Sequence, residues 1–283
     1  MTGHADAISN ADFGRLRSLI YTESGINLSA DKKTMLELRI KRRLRDLQLN
    51  TYAEYCAYLF GRDSQKEEIV HLLDVVTTNK TDFFREPAHF EFLAQRALPD
   101  LTSRNNARPE LWVWSAGCST GEEPYTLAMV LDDYGRNHPG FRYRVLATDI
   151  STKVLAKAKL GVFNSEVVSP VPTELKRRYF MRSRDRDSDV LRVVPELRQR
   201  VEFRRLNFMD ASFGLAQMVD AIFCRNVIIY FDRQTQERIL QKLARQLVPG
   251  GYMFVGHAES LHDMQLPLLP VAPALYRKAD AGT

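Results

Sequence analysis

Apolar residues recur at helical spacing through the first part of the chain. They fall at intervals of three and four residues, which is the pattern of helices with one buried face. Gly25 and Gly61 follow two of these stretches, where helices commonly end. We therefore predict an all-helical domain over residues 1–95. Its predicted buried positions are Phe13, Leu16, Leu19, Ile20, Leu36, Ile40, Leu44, Leu47, Tyr52, Tyr55, Leu59, Phe60, Ile69, Leu72, Leu73 and Val76.

A polar stretch separates this pattern from a different one. Residues 96–110, which end in PDLTSRNNARPE, are predicted to be a linker. Beyond it, short strand-like runs alternate with helical stretches. This alternation predicts an α/β domain over residues 111–283, with a doubly wound, mostly parallel, Rossmann-like sheet. The predicted strands are 111–115, 144–148, 201–205, 220–224 and 252–256, the helices are 124–134, 153–160 and 233–247, and a candidate edge strand is 274–277.

One segment interrupts the alternation. Residues 178–194 read RYFMRSRDRDSDVLRVV, which is two short strand-like runs around a polar tip. This pattern is typical of a β-hairpin. We therefore predict a small antiparallel β-subdomain inserted into the α/β domain at about 171–199.

The loop after the first predicted strand carries the most informative chemistry. Residues 114–125 read WSAGCSTGEEPY, in which small residues lead into a helix that begins with Glu122 and Glu123. Phosphate-binding loops place backbone N–H groups and a basic residue at such a helix start. Two carboxylates there would repel a pyrophosphate, so we expect a ligand that is neutral or cationic at this point. S-adenosylmethionine, a nucleoside with a sulfonium and an amino-acid tail, fits this expectation.

Polar residues follow four of the predicted strands. Ligands of open α/β sheets bind beyond the carboxyl ends of the strands, so we expect these residues to share one site. Asp149 could accept both ribose hydroxyls, and Asn207 could read a base edge. Each has an ordinary alternative when taken singly, as a helix N-cap or a turn residue. NAD fits less well, because the glycine fingerprint differs from G-x-G-x-x-G. The predicted site residues are Gly117, Gly121, Asp149, Asn207, Arg225 and Asn226.

The composition excludes several kinds of protein. The chain is 45% hydrophobic and 27% charged, has no apolar run long enough for a membrane helix, and does not begin with a signal-peptide pattern. Its three cysteines are few and widely spaced, which argues against a disulfide scaffold or a zinc site. We therefore expect a cytoplasmic protein with no metal site. The net charge of +5 mildly favours an acidic partner, either nucleic acid or a protein surface.

Several motifs taken together resemble one known family. They are TTNKTDFFRE at 77–86, WSAGCSTGEEPY, ATDI, RYFMR, FCRNVIIYF at 223–231 and GGYMFVGHAE, in this order over most of the chain. This combination is similar to the chemotaxis receptor methyltransferases, the CheR family. The resemblance implies an N-terminal helical domain joined to a class I methyltransferase domain that carries a small antiparallel β-subdomain. It also implies methyl transfer from S-adenosylmethionine to receptor glutamate side chains, with S-adenosylhomocysteine as the product.

The resemblance implies roles for individual residues. Glu123 would contact the amino-acid part of the cofactor, and Asp149 its ribose. Asn207 and Phe208 would flank the adenine. Other residues that would line or close the cofactor site are Asn79, Thr81, Arg85, Gly117, Arg225 and Asn226.

Two of the matched residues are candidate catalytic residues. Arg85 would orient the incoming glutamate carboxylate, and Tyr230 would hold the glutamate. A glutamate is already ionised at pH 7, so its attack on a sulfonium methyl needs no general base. An ion pair of Arg85 with Glu86 or another acid, and a core position for Tyr230 with a satisfied hydroxyl, are the structural alternatives.

The strongly basic second helix is a candidate docking surface. An apolar stripe at Leu36, Ile40, Leu44 and Leu47 would face inward and leave the cations outward. A solvated face is the ordinary interpretation of such a pattern. With the resemblance, an acidic helical bundle of a chemoreceptor becomes the expected partner. The predicted docking residues are Arg39, Arg42, Arg43 and Arg45.

Other partners and activities are weighed against this one. The helix lacks the interleaved aromatic residues that stack on bases, so we expect no nucleic-acid partner. Some family members bind a receptor-tail peptide through a glycine-rich hairpin tip; the tip SRDRDSD has no glycine, which argues against tail binding. We expect a monomer. The alternatives to receptor methylation are methyl transfer to another acceptor, such as nucleic acid or a small molecule, and a non-catalytic S-adenosylmethionine sensor.

Overall fold

The computed structural model describes residues 7–61, 65–104, 110–183, 185 and 188–280, with the side chains of residues 65 and 66 excepted. The helical unit at the beginning consists of α1 (Asn10–Ser24), α2 (Lys33–Asp46), α3 (Tyr52–Leu59) and α4 (Gln65–Val76). The four predicted apolar stripes lie in these helices or at their ends, and their buried members other than Leu73 form one core. The all-helical prediction for this part of the chain is therefore confirmed.

Local sequence signals set the limits of these helices. The Ser9 hydroxyl caps α1 by accepting from the Asp12 N–H, and Thr51 with Glu54 forms a capping box at the start of α3. The α1 helix ends at Gly25, whose φ of 75° is readily adopted only by glycine. The left-handed conformation of Gly25 turns the chain out of α1, and the residues that follow run along the α/β domain, where the Asn27 N–H donates to the Tyr230 carbonyl.

The predicted linker at 96–110 is wrong for most of its length. The chain is helical through α5 (Ala88–Phe92), a π-helical turn (Leu93–Ala97) and α6 (Leu98–Arg104). Leu98 and Leu101 are buried in the core that covers one face of the sheet. The many polar residues after Leu101 hid this short apolar stripe; residues 105–109 of the predicted linker lie outside the described part of the chain.

The sheet has seven strands and confirms the predicted α/β class. Its strands are β1 (Leu111–Ala116), β2 (Tyr143–Asp149), β6 (Val201–Arg205), β7 (Val219–Cys224), β8 (Leu247–Val255), β9 (Leu268–Ala272) and β10 (Leu275–Lys278). Five parallel strands come first in the order β6–β2–β1–β7–β8, and β10 and β9 continue the sheet antiparallel. The chain goes from β1 to β2 on one side and later returns to β7 on the other, so the switch point lies between β1 and β7.

Helices cover both faces of this sheet. One core joins α5, the π-helical turn, α6 and α7 (Glu122–Arg136) to one face, and α12 (Arg233–Gln246) packs on the other. The α8 helix (Thr152–Leu160) follows β2 and packs beside α4 and β6. The edge strand β9 was missed in the sequence, because Pro270 makes LLPVA a poor strand pattern. No helix of the described residues is long and apolar enough to cross a membrane.

The inserted subdomain is a three-stranded antiparallel sheet in the order β3–β5–β4. The predicted hairpin is present as β4 (Phe180–Arg182) and β5 (Val190–Val193), but the insert begins earlier than 171, at β3 (Val162–Asn164). A strand of three residues is too short to show a period. Short helices α9 (Ser165–Val168) and α10 (Thr173–Tyr179) complete the insert, and α11 (Pro195–Arg198) leads back to β6. Positions 184, 186 and 187 of the predicted tip lie outside the described residues.

Candidate active site

A cavity of about 330 Å³ lies at the carboxyl ends of β1, β2 and β7, between the sheet and the helical unit. Its volume falls within the range of small-molecule sites, roughly 300–1,000 Å³. The structure brings together in this one cavity eleven of the twelve predicted site residues; the exception is Gly121, which does not line it. The eleven are Asn79, Thr81, Arg85, Gly117, Glu123, Asp149, Asn207, Phe208, Arg225, Asn226 and Tyr230.

The loop after β1 lets backbone approach the cavity closely. Gly117 has a φ of 97°, and a Cβ there would lie 2.4 Å from the Val227 side chain. The N–H groups of Gly117 and Cys118 both donate to the carbonyl of Thr148, which ties this loop to the end of β2. A larger residue at position 117 would therefore push the loop away from its neighbours.

The two acids at the start of α7 have different surroundings. The Glu123 carboxylate lines the cavity and accepts from Ser115 Oγ at 2.7 Å and from Arg225 at 3.2 Å. The Glu122 carboxylate accepts instead from Thr120 Oγ1, at 2.7 and 2.9 Å, and is buried. Burial raises the pKa of Glu123, while the Arg225 charge opposes that rise. Glu123 is therefore the acid available to a cationic ligand group.

Asp149 lies at the last position of β2 and faces the cavity. One of its carboxylate oxygens accepts from the Ser119 N–H and the other from the Ser151 N–H, both at 2.9 Å. The N-cap of α8 is Ser151, so the helix-cap alternative for Asp149 is wrong. Each carboxylate oxygen keeps lone-pair capacity, so Asp149 can still accept from a pair of hydroxyl groups.

Arg225 holds two carboxylates together beneath the cavity. Its side chain is only 2% exposed and lies 3.1 Å from Glu86 and 3.2 Å from Glu123. It also donates to the carbonyl of Arg85, and its guanidinium lies 5.3 Å from the Phe90 ring centroid. A buried guanidinium needs such partners, because an unpaired charge is very costly away from water.

Arg85 lies on a loop whose backbone is held in an unusual conformation. Phe84 and Glu86 on either side have φ values of 53° and 55°, in the left-handed region. Among the described residues no carboxylate lies within 4 Å of the Arg85 guanidinium, which donates to the Lys80 carbonyl at 3.2 Å. Glu86 pairs with Arg225 instead, so the structural ion pair considered for Arg85 is absent from this part of the chain. The Arg85 guanidinium is free to meet an anionic ligand.

The same loop carries Asn79 and Thr81 into the cavity. The Asn79 carbonyl accepts from Ser119 Oγ at 2.9 Å, and its amide donates weakly to Thr77 Oγ1 at 3.4 Å. The loop is thereby attached to the turn after β1. This contact joins the loop that carries Asn79, Thr81 and Arg85 to the turn after β1, and both line the cavity.

Tyr230 lies in a short turn of 3₁₀ helix, Ile228–Tyr230, at the mouth of the cavity. Its backbone carbonyl accepts from the Asn27 N–H at 2.9 Å. Its ring is half-buried, and within the described ranges its hydroxyl has no hydrogen-bond partner. The alternative of a core tyrosine with a satisfied hydroxyl is therefore wrong.

The Asn207 side chain, expected to read a base edge, is held by two contacts within the chain. Its Nδ2 donates to the Glu23 carbonyl, and its Oδ1 accepts from the Met209 N–H at 3.0 Å. Both ends of the amide are thus engaged, and the side chain connects the sheet edge to α1. Phe208 contributes an apolar wall, with its ring 6.4 Å from that of Phe231.

Two groups of site residues were missed in the sequence. The segment after α1 forms one wall of the cavity, which no local pattern could indicate, because the contact is between distant parts of the chain. The other is Glu259, whose buried carboxylate accepts from the N–H groups of Gly256, Asn226, Val227 and Ile228. It fixes the turn that carries Asn226, whose φ is 58°. The wall residues are Ser24, Ile26, Asn27, Leu28, Ser29, Lys32 and Met35.

The four predicted docking arginines do not form one outward face. Arg39 donates to the carbonyls of Val76 and Thr77 and to Thr78 Oγ1. Arg43 forms a bidentate pair with the buried Glu68, at 2.7 Å. Arg42 and Arg45 are exposed. The outward prediction is therefore wrong for Arg39 and Arg43, because α4 and the loop after it pack beside α2.

The order and spacing of these residues agree with one protein family. The SAM-binding domain of CheR methyltransferases matches residues 79–271, and the all-alpha domain of the same enzymes matches residues 11–77. The chain belongs to the CheR methyltransferase family. It is thus an S-adenosylmethionine-dependent methyltransferase, and the cavity with two ligand-facing carboxylates, Glu123 and Asp149, fits that cofactor.

Curated relatives cover almost the whole chain. A chemotaxis protein methyltransferase of Borreliella burgdorferi is 37% identical over 96% of this chain and 95% of its own length. Chemotaxis protein methyltransferase 2 of Pseudomonas aeruginosa is 41% identical over 95% of this chain and 93% of its own. The chemotaxis protein methyltransferase of Escherichia coli is 39% identical over 92% and 87%.

Proposed function

We propose that this CheR-family enzyme transfers a methyl group from S-adenosylmethionine to glutamate side chains of chemoreceptors, forming glutamate methyl esters. The observation that carries the proposal is the Arg85 guanidinium, which lines the cofactor cavity without a carboxylate partner among the described residues. A cation in that position suits an acceptor that is itself a carboxylate. The relatives at 37–41% identity are named chemotaxis protein methyltransferases, which supports an acceptor of the chemotaxis system.

S-adenosylmethionine supplies an electrophilic methyl on a sulfonium when it is bound. The acceptor carboxylate is already ionised, so the residues of this chain need to remove no proton. Their task is to bring a carboxylate oxygen into line with the methyl–sulfur bond, which is catalysis by proximity and orientation. Arg85 orients the carboxylate, and the Tyr230 hydroxyl donates a hydrogen bond to it.

The donor side of the site uses the carboxylates on β2 and α7. Glu123 accepts from the ammonium of the amino-acid tail, and Asp149 accepts from the ribose hydroxyls. Arg225 keeps Glu123 in position through their pair at 3.2 Å. Phe208 provides apolar surface for the adenine. The remaining residues that line the donor site in this proposal are Asn79, Thr81, Gly117, Asn207 and Asn226.

The helical unit takes part in acceptor docking in this proposal. Arg42 and Arg45 are exposed on α2, on the unit that also forms one wall of the cavity. They would meet an acidic surface of the receptor helices.

The helical unit extends to Val76 rather than to residue 95, because Phe83 and the residues after it pack in the core of the sheet. Action as a monomer stays a prediction, and the hairpin tip without glycine still argues against binding of a receptor-tail peptide by the β3–β5–β4 sheet.

The test is transfer of a tritiated methyl group from S-adenosylmethionine to a cytoplasmic fragment of a chemoreceptor from the same organism. We expect label in the receptor that mild base releases as methanol, since esters are base-labile and N-methyl groups are not. The Arg85→Ala enzyme is the negative control, with cofactor affinity measured alongside. Label that survives base, or label in RNA but not in receptor, would contradict receptor glutamate methylation.

A further inference from the structure

Three possible metal-ligating side chains meet behind the cofactor cavity. Glu86 precedes α5, His89 lies in α5, and His257 follows β8. His89 Nδ1 lies 3.4 Å from Glu86 Oε2, and His257 Nε2 lies 3.9 Å from the same oxygen. One ligand atom of each residue lies within 4.8 Å of the other two. The two histidines are distant in sequence, which is why the sequence predicted no metal site.

His89 is the part of this cluster that most needs a partner. Its side chain is buried, at 3% relative exposure, and neither ring nitrogen has a hydrogen-bond partner among the described residues. Buried polar atoms in native proteins are almost always paired. The rings of Phe254 and His257 pack edge-on against His89 without a hydrogen bond to either of its nitrogens.

The spacing of the three residues suits a small ion. Zinc–nitrogen and zinc–oxygen bonds are about 2.0–2.2 Å, so tetrahedral ligand atoms lie roughly 3.4 Å apart. The nearer of the two measured distances equals that value, and the 3.9 Å distance requires only a small rotation of His257. His257 is 57% exposed on its side chain and leaves an entry path for an ion.

The ion pair of Glu86 with Arg225 is compatible with such an ion. A carboxylate has two oxygens and about four lone-pair sites, so one carboxylate can accept from a guanidinium and ligate a cation. Arg225 lies 3.1 Å from Glu86 Oε2, the same oxygen that faces both histidines, and a carboxylate oxygen has lone-pair capacity for a guanidinium and an ion together. The positive charge of Arg225 weakens metal binding without occupying a ligand position.

We propose that Glu86, His89 and His257 form a binding site for a divalent transition-metal ion of the Zn²⁺ class. Two imidazoles and one carboxylate are a ligand set that zinc and its neighbours prefer, and Mg²⁺ or Ca²⁺ would not choose it. Three protein ligands leave a fourth position for water or another small ligand.

The proposed ion is coupled to the methyl-donor site, an extension that rests on the proposed function. Glu86 and Glu123 share Arg225. A cation on Glu86 draws that carboxylate's charge away from Arg225, and Arg225 then pairs more strongly with Glu123. Glu123 becomes a weaker acceptor for the cofactor's ammonium group. The ion therefore lowers cofactor affinity, and by reciprocity the cofactor lowers metal affinity.

The test of the site uses the full chain without a histidine tag and does not require activity. Co²⁺ is titrated while its visible absorption is followed, and Zn²⁺ binding is measured by calorimetry. We expect one equivalent to bind, and the affinity to fall about 10-fold or more in His257→Ala, which loses one ligand. His262→Ala is the matched control, since His262 is an exposed histidine that pairs with Asp263 outside the cluster. Equal affinity in wild type and His257→Ala, or no binding to wild type, overturns the proposal.

A second measurement addresses His89 and the coupling. His89→Gln, checked for native structure by circular dichroism, should lose Zn²⁺ binding as His257→Ala does; unchanged binding removes His89 from the site. The affinity for S-adenosylhomocysteine should be several-fold weaker with saturating Zn²⁺ in wild type and unchanged by Zn²⁺ in His257→Ala. Metal binding without that difference would keep the site and overturn the coupling. Failure of receptor methylation would bear on neither result.

Discussion

Arg225 and Glu123 form an ion pair under the floor of the cofactor cavity, with 3.2 Å between guanidinium nitrogen and carboxylate oxygen. The same guanidinium reaches Glu86 on the loop that carries Arg85. One buried cation therefore connects the end of β7, the start of α7 and the loop beside the acceptor. In the proposed function, the donor and acceptor sides of the site are joined through this contact.

Replacing Arg225 with Met should destabilise the fold. The substitution keeps much of the side-chain volume but leaves Glu86 and Glu123 without their shared partner. Removing one partner of a buried ion pair costs about 3–5 kcal/mol. We expect a loss near the low end of that range in urea unfolding, because the remaining carboxylates can take up protons. Arg178→Met removes an exposed pair with Asp133 and should have a much smaller effect; equal losses would mean that Arg225 is not a structural centre.

Replacing Arg85 with Ala should strongly slow methyl transfer while leaving donor affinity nearly unchanged. The guanidinium has no carboxylate partner among the described residues, so its loss leaves no buried charge unpaired. Loss of one group that stabilises the reacting carboxylate should lower kcat about 100- to 1,000-fold. Arg85→Lys keeps the charge without the paired N–H donors and should recover only part of the activity. Calorimetry with S-adenosylhomocysteine checks donor binding; a large loss of affinity would assign Arg85 to the donor side.

Replacing Asp149 with Ala should weaken donor binding. Its carboxylate is positioned by the N–H groups of Ser119 and Ser151 and faces the cavity. A hydrogen bond to a charged group contributes about 1.5–3 kcal/mol, so affinity for S-adenosylhomocysteine should fall about 10- to 100-fold. Glu122→Gln is the matched control, because the Glu122 carboxylate bonds to Thr120 instead of facing the cavity. Unchanged affinity in Asp149→Ala would mean that the ribose assignment is wrong.

Donor binding should weaken as the pH falls. The midpoint of this loss should lie above 3.8, the ordinary pKa of an aspartate. Burial raises the pKa of Asp149, and the N–H donors of Ser151 and Ser119 only partly oppose it. The ionised form is the better hydroxyl acceptor, so affinity is lost as Asp149 takes up a proton. The folded state binds this proton more tightly than the unfolded state does, so acidification through this window does not remove stability through Asp149.

The measurement is S-adenosylhomocysteine affinity between pH 7.5 and pH 5, with the folded fraction followed by fluorescence. Asp149→Asn cannot titrate at this position, so its weaker affinity should change less with pH. If wild type and Asp149→Asn show parallel profiles, another group controls the dependence. Glu123 is the next candidate, since burial raises its pKa as well.

The sequence predicted which residues lie together in the site better than it predicted which partners they bond to. Asp149 and Arg225 could be placed together because parallel strands end at one edge of a sheet. The partner of Asn207 could not be predicted, since Glu23 is 184 residues away in the chain and lies in the helical unit, whereas Asn207 follows a strand of the sheet. Arg39 and Arg43 lie off the apolar stripe of α2, as the period predicts, but a period cannot show that α4 packs beside that face. The strand β3 has three residues, too few for any alternation to be seen.

Replacing both Arg42 and Arg45 with Ala should weaken receptor docking without affecting the donor site. Both side chains are exposed on α2, and neither takes part in the pair of Arg43 with the buried Glu68. We expect the KM for a receptor fragment to rise several-fold, with kcat and S-adenosylhomocysteine affinity unchanged. The difference from wild type should shrink as salt is added, because exposed charges are screened. The double variant Arg136→Ala, Arg177→Ala makes the same change of charge at exposed positions elsewhere and should retain the wild-type KM. If both double variants raise KM equally, net charge rather than the surface of α2 governs docking.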